Sequence, residues 1–130
     1  MMQIYQGVDM VDVAKFNRVF STNPDFVWDI FTEQEREYCL SHKEPHIHFA
    51  GRFAAKEACL KALGIGMSQP GIPYVFQDIE VLRHDGGKPL LSLSGWAAKI
   101  SAMHRIRQFT VSISHTSGSC IAVVILVGLR

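Results

Sequence analysis

The chain has 130 residues, a length that fits one domain with a buried core and excludes two. Thirteen Lys and Arg face 12 acids, for a net charge of +1. That balance excludes generic binding to nucleic acid or a membrane surface and leaves room only for a local basic patch. Cys39, Cys59 and Cys120 stand far apart without CxxC spacing, so neither a disulfide framework nor a structural zinc site is expected, and a reducing cytoplasm fits.

The N-terminal "MMQIYQGVDMVDV" lacks the basic and apolar regions of a secretory signal. Gln3 to Val11 reads as a strand ending near Asp9, and "VDVAKFNRVF" follows with helical apolar spacing, which places a carboxylate at a strand-to-helix junction. "NPDFVWDIF" predicts a short helix. "TEQEREYCLSHK" opens with Thr32 and Glu35 in a capping-box arrangement, so a further helix starts there and Pro45 should end it. The next helix runs from about His48 to Leu63 and stops at Gly64; its apolar positions fall on nearly every side, the pattern of a buried helix.

"IGMSQPGIPY" is a loop by its glycine and proline content. "QDIEVLR" and "KPLLSLS" flank "HDGG" as a hairpin, and "GWAAKISAMHRIR" reads as a helix. "QFTVSIS" alternates apolar and hydroxyl residues as a strand, and "HTSGS" turns it into "CIAVVILVGL". This last run is about half the roughly 20 residues a membrane helix needs, so it reads as a buried strand. The class is α+β with a small antiparallel sheet packed with helices.

Asp9 follows Gly7, which permits close approach of a backbone or ligand. Either Asp9 is an acid near a helix N-terminus, or it and Glu57 together hold a hard divalent cation such as magnesium. Glu57 has its own ordinary reading, an i,i+4 ion pair with Lys61. Phosphate binders would come from Arg52, Lys56 and Lys61 on the same helix and from Gly87 and Lys88 in the hairpin. "GGKP" is not a phosphate loop of the GxxxxGK[ST] kind, and Pro89 could lie against a flat base. "SISHTSG" gathers hydroxyls and His115 without a GxSxG elbow, which suits an anionic phosphate better than a catalytic triad. His42, His46 and His48 lack the HExxH pattern of a zinc helix.

"GVDMVDV", "FAGRFAAKEACLKALG", "DIEVLRHDGGKPLLSLSG" and "VSISHTSGSCIAVVI", in this order, resemble the holo-acyl-carrier-protein synthases, the small bacterial 4′-phosphopantetheinyl transferases. The resemblance implies that fold and the transfer of phosphopantetheine from coenzyme A to a serine of an acyl carrier protein, with adenosine 3′,5′-bisphosphate released. It implies Asp9 and Glu57 as magnesium ligands and, with Lys61, as the catalytic set. Lys43, Arg52, Lys61, Gly64, Gly87, Lys88, Pro89, His115 and Thr116 would bind coenzyme A. It further implies a homotrimer with active sites between subunits. The first helix brings only Lys15 and Arg18 to a carrier-docking face, so apolar contact by Phe16 or Val19 should carry more of the binding, unless these residues face the core. The serine's proton could go to Glu57 or to a metal-bound water. Two other activities fit the same residues: a coenzyme A or nucleotide binding module without transfer, and a metal-dependent hydrolase of phosphate anhydrides.

Overall fold

In the computed structural model, residues 1–65 and 72–130 are described. The chain opens with strand β1 (Met2–Asp12), which runs directly into helix α1 (Val13–Thr22). Asp12 is the residue at this junction: its carboxylate accepts from the Lys15 backbone N–H at 2.9 Å and caps the helix. Asp9, expected at the strand end, lies inside β1 because the strand continues through three further residues in register with its neighbour.

Helices α2 (Pro24–Ile30) and α3 (Glu33–Leu40) follow. The capping box at Thr32 and Glu35 forms in both directions, with Glu35 N–H donating to Thr32 Oγ1 and Thr32 N–H to Glu35 Oε1. Pro45 does not end α3, which stops at Leu40. It sits in the first turn of α4 (Pro45–Leu63), where its missing N–H costs nothing. Helix α4 is the centre of the molecule. Ala50, Ala54, Ala55, Ala58 and Cys59 are fully buried, and Gly64 closes the helix in the left-handed region at φ 76°.

Part of the expected Gly/Pro loop lies outside the described residues. Its far end is helical: α5 (Ile72–Asp78) takes in Gln77 and Asp78, which the sequence pattern assigns to a strand. Strands β2 (Ile79–Arg83) and β3 (Pro89–Leu93) form the hairpin. Helix α6 (Gly95–Met103) is shorter than expected. Arg105 turns the chain at φ 55°, and Ile106 is drawn into strand β4 (Ile106–His115) opposite Gly128.

Strand β5 (Ser119–Leu129) lies between β1 and β4, antiparallel to both, in a three-stranded sheet of order β1-β5-β4. It is not buried on both faces. Cys120, Ala122, Val124 and Leu126 are fully buried against the helices, while Val123 and Ile125 point outward opposite Val8 and Gln6 of β1, all of them exposed. The three cysteines are buried and free. No helix among the described residues is long and apolar enough to cross a membrane.

Candidate active site

Gly7 sets the distance between β1 and α4. A Cβ there would lie 2.0 Å from Ala58 O and 2.8 Å from Ala62 N, so only glycine lets the strand backbone rest on the helix backbone. The next residue on the same face is Asp9, and the contact brings its carboxylate against the Glu57 and Lys61 turn of α4. Lys61 Nζ donates to Asp9 Oδ1 at 3.0 Å and to Val8 O at 3.1 Å. The ion pair Lys61 makes is therefore with Asp9 across to the strand, in place of the expected pairing with Glu57 along the helix. Glu57 is half-buried. Burial pushes its pKa up from 4.5 to about 7, the Asp9 charge pushes the same way, and Lys61 opposes both.

A carboxylate whose proton affinity is raised by burial and by a second carboxylate beside it suits a hard divalent cation, which would relieve the repulsion. Among the described residues no group of three or more His, Cys, Asp and Glu gathers that could hold a metal. Two carboxylates could hold magnesium, because that ion keeps water and substrate phosphate in much of its shell.

Lys56, expected among the phosphate binders, cannot serve as one. It is fully buried, its Nζ 2.8 Å from Glu35 Oε1 and bonded to Phe76 O and Ile79 O at 2.8 and 2.6 Å. Glu35 also accepts from Val81 N–H at 2.8 Å. A chain that isolated an ammonium this deeply would lose several kcal/mol, and the Glu35 carboxylate with two carbonyls offsets that loss.

Arg52, one turn earlier on α4, looks into a cavity of about 240 Å³ lined also by His48, Arg83, Gly87, Pro89 and His115. Only 6% of Arg52 is exposed. Its guanidinium carbon lies 3.9 Å from the Tyr38 ring centre, and its Nε–H is buried without a partner. Arg83 donates to the Tyr38 hydroxyl. The hairpin turn that carries Gly87 is closed by His84 N–H to Lys88 O at 2.9 Å and Gly87 N–H to His84 O at 2.7 Å. Asp9 of β1 and Ile113 of β4 both register with Ala122 of β5. The carboxylate pair and the cavity wall at Ile113 thus stand two strand spacings apart, roughly 10 Å.

The structure brings Arg52, Gly87, Pro89 and His115 together, and separately Asp9, Glu57 and Lys61. It does not bring the remaining expected residues to either place. Lys43 is exposed in the turn before α4, and Lys88 is exposed and outside the cavity lining. Thr116 Oγ1 accepts from Gly118 and Ser119 N–H and holds the β4–β5 turn. Gly64 serves as the cap of α4. Tyr38, His48 and Arg83 escape a reading of the sequence: the histidine spacing raises His48 only as a zinc ligand, and nothing near Tyr38 or Arg83 signals that folding will bring them to Arg52. On α1, Arg18 is exposed and Lys15 edges a second, apolar cavity with Val11, Phe16, Val19, Phe26 and Phe53. Phe16 faces the core at 6% exposure and Val19 faces out at 44%.

In this α+β fold the carboxylate pair and the cavity lined by Arg52, Arg83, His48 and His115 flank the same central helix. The family model described as the 4′-phosphopantetheinyl transferase superfamily matches residues 6–123, and the chain belongs to that family. Within it, the chain is 39% identical over 127 residues to the holo-[acyl-carrier-protein] synthase of Caldanaerobacter subterraneus subsp. tengcongensis, covering 98% of this chain and 97% of that one. It is 41% identical over 125 residues to the enzyme of the same name from Syntrophus aciditrophicus, covering 95% of each. Among solved structures, the Chronobacterium ammoniagenes ACPS–CoA complex superposes with a TM-score of 0.86 at 29% identity, covering 98% of this chain and 99% of that one.

Proposed function

We propose that the chain is a magnesium-dependent transferase that moves 4′-phosphopantetheine from coenzyme A to a serine of an apo acyl carrier protein, releasing adenosine 3′,5′-bisphosphate. The observation that carries this reading is the Asp9 and Glu57 pair beside a cationic cavity, in a fold shared with the ACPS–CoA complex. Asp9 and Glu57 would hold the magnesium ion, which supplies charge neutralisation on the pyrophosphate. Lys61, tied to Asp9, steadies that carboxylate and adds positive charge for phosphate oxygens. Arg52 and His115 face the nucleotide phosphates, Gly87 and Pro89 border its base, and Lys43, Lys88, Gly64 and Thr116 shape the surrounding turns.

The carrier docks against α1 through Lys15 and Arg18, with Val19 adding apolar contact. The chain works as a homotrimer in the cytoplasm. Support for the trimer is the outward face of the sheet, where Ile4, Val8, Met10, Val123 and Ile125 leave apolar surface in water, broken on β1 by Gln6. A neighbour seated there would also let one coenzyme A meet the carboxylates of one subunit and the cavity of the next.

Intact-protein mass spectrometry of an apo acyl carrier protein, incubated with this chain and coenzyme A, tests the reading. One phosphopantetheine added with magnesium and none with a chelator is the expected result. Coenzyme A binding without transfer across several carriers would mark a binding module, and release of adenosine bisphosphate without a carrier would mark a hydrolase.

A further inference from the structure

The cavity beside Arg52 holds more basic side chains than the sequence reading assigned to it, and His48 is one of them. Its imidazole lines the cavity one turn before Arg52, with His115 across from β4 and Arg83 from β2. His42, from the turn before α4, packs against it at a tilt with ring centres 4.0 Å apart, and Tyr38 of α3 meets it edge-on at 5.8 Å. His42 is itself fixed, its Nδ1 2.7 Å from Tyr38 O. The charged groups acting on His48 are therefore His42, Arg52 and His115, which disfavour its proton, and Glu44, which favours it. Burial is the largest influence and adds to the first three, so His48 sits below the ordinary histidine pKa.

This arrangement is short of negative charge. Arg52 keeps a buried Nε–H unpartnered, and burial together with the neighbouring His42, Arg52 and His115 disfavours a proton on His48. A dianion placed in the cavity would satisfy both at once. We propose that His48 is a nucleotide-binding residue of this chain that reads, with Arg52, Arg83 and His115, the ribose phosphomonoester of coenzyme A, and takes up a proton as it does so. This rests on the coenzyme A reading above and adds to it. The chain then prefers coenzyme A to 3′-dephospho-coenzyme A, and His48 carries a separable part of that preference. The pyrophosphate is common to both compounds and belongs with the carboxylate pair and its metal.

The test is the dissociation constant for each compound, measured by calorimetry on the full chain and on His48→Gln, which keeps a hydrogen-bond donor and cannot carry charge. The expected result is a Kd for coenzyme A about tenfold weaker in the variant, with the dephospho compound unchanged. Equal weakening of both, or no change in their ratio, would overturn the proposal. The unmodified protein supplies a second, independent readout: titrations near pH 7 in two buffers of different ionisation enthalpy should show proton uptake with coenzyme A and less with the dephospho compound. Equal uptake overturns the proposal even if the variant does not fold. Failure of the unmodified chain to bind either compound would sink the coenzyme A reading itself, whereas tight binding of both without discrimination would sink only the role of His48.

Discussion

Glu57 shows how one side chain answers to its surroundings. Burial in the apolar helix, helped by the Asp9 charge, raises its pKa to about 7. Between 4.5 and about 7 the folded chain then binds more protons at this position than the unfolded chain, so this group's contribution to stability falls as pH rises through that window. In a chelator, the urea midpoint of the unmodified chain should drop from about pH 5.5 to about pH 7.5 by more than that of Glu57→Gln, and magnesium should remove the difference. The same variant should keep its fold and lose at least about a hundredfold in turnover, in line with the loss of one of the two charges proposed to hold the metal; unimpaired transfer would refute the metal assignment. Asp9 and Glu57 were legible as a pair in the sequence because carboxylates beside glycine and within an apolar helix stand out. Lys61's choice of Asp9 over Glu57 was not, since it depends on how near the strand comes.

Among the elements, α4 does most of the organising. The capping box, the glycine stop and the strand alternation were all readable, because each follows from neighbours within a few residues. Lys56 reads wrongly as a phosphate binder for the opposite reason: Glu35 on α3 and the Phe76 and Ile79 carbonyls reach it from about 20 positions away. This buried cluster fixes the start of β2 to the central helix, and β2 leads into the hairpin that carries Gly87 and Pro89. Lys56→Met should cost about 3–5 kcal/mol in equilibrium unfolding by leaving the Glu35 charge alone in the core. Adding Glu35→Gln should recover part of it, because the amide keeps an acceptor for the Thr32 or Val81 N–H without a buried charge. A single variant as stable as the parent would show that the pair contributes nothing.

At the scale of the whole molecule, the outward face of the sheet and the face of α1 lead to separate outcomes. Val8→Asp, placed in that apolar surface, should shift the proposed trimer to smaller species in light scattering and lower turnover most at low protein concentration. Lys15→Glu should leave the assembly and coenzyme A affinity alone and weaken the acyl carrier severalfold, mainly in its rate of association. The apolar surface could be read from sequence only as strand residues, since alternation does not say which side of a sheet another subunit will cover. Strand order carries one more consequence. β1 pairs along its whole length with β5, more than a hundred residues further along the chain. At ribosomal speeds, the first strand emerges on the order of ten seconds before its partner. Through that interval Ile4, Val8 and Met10 have no sheet to join and Asp9 has no fixed place beside Glu57. The nascent chain is at its most adhesive then, and the pairing of Asp9 with Glu57 is among the last features of folding.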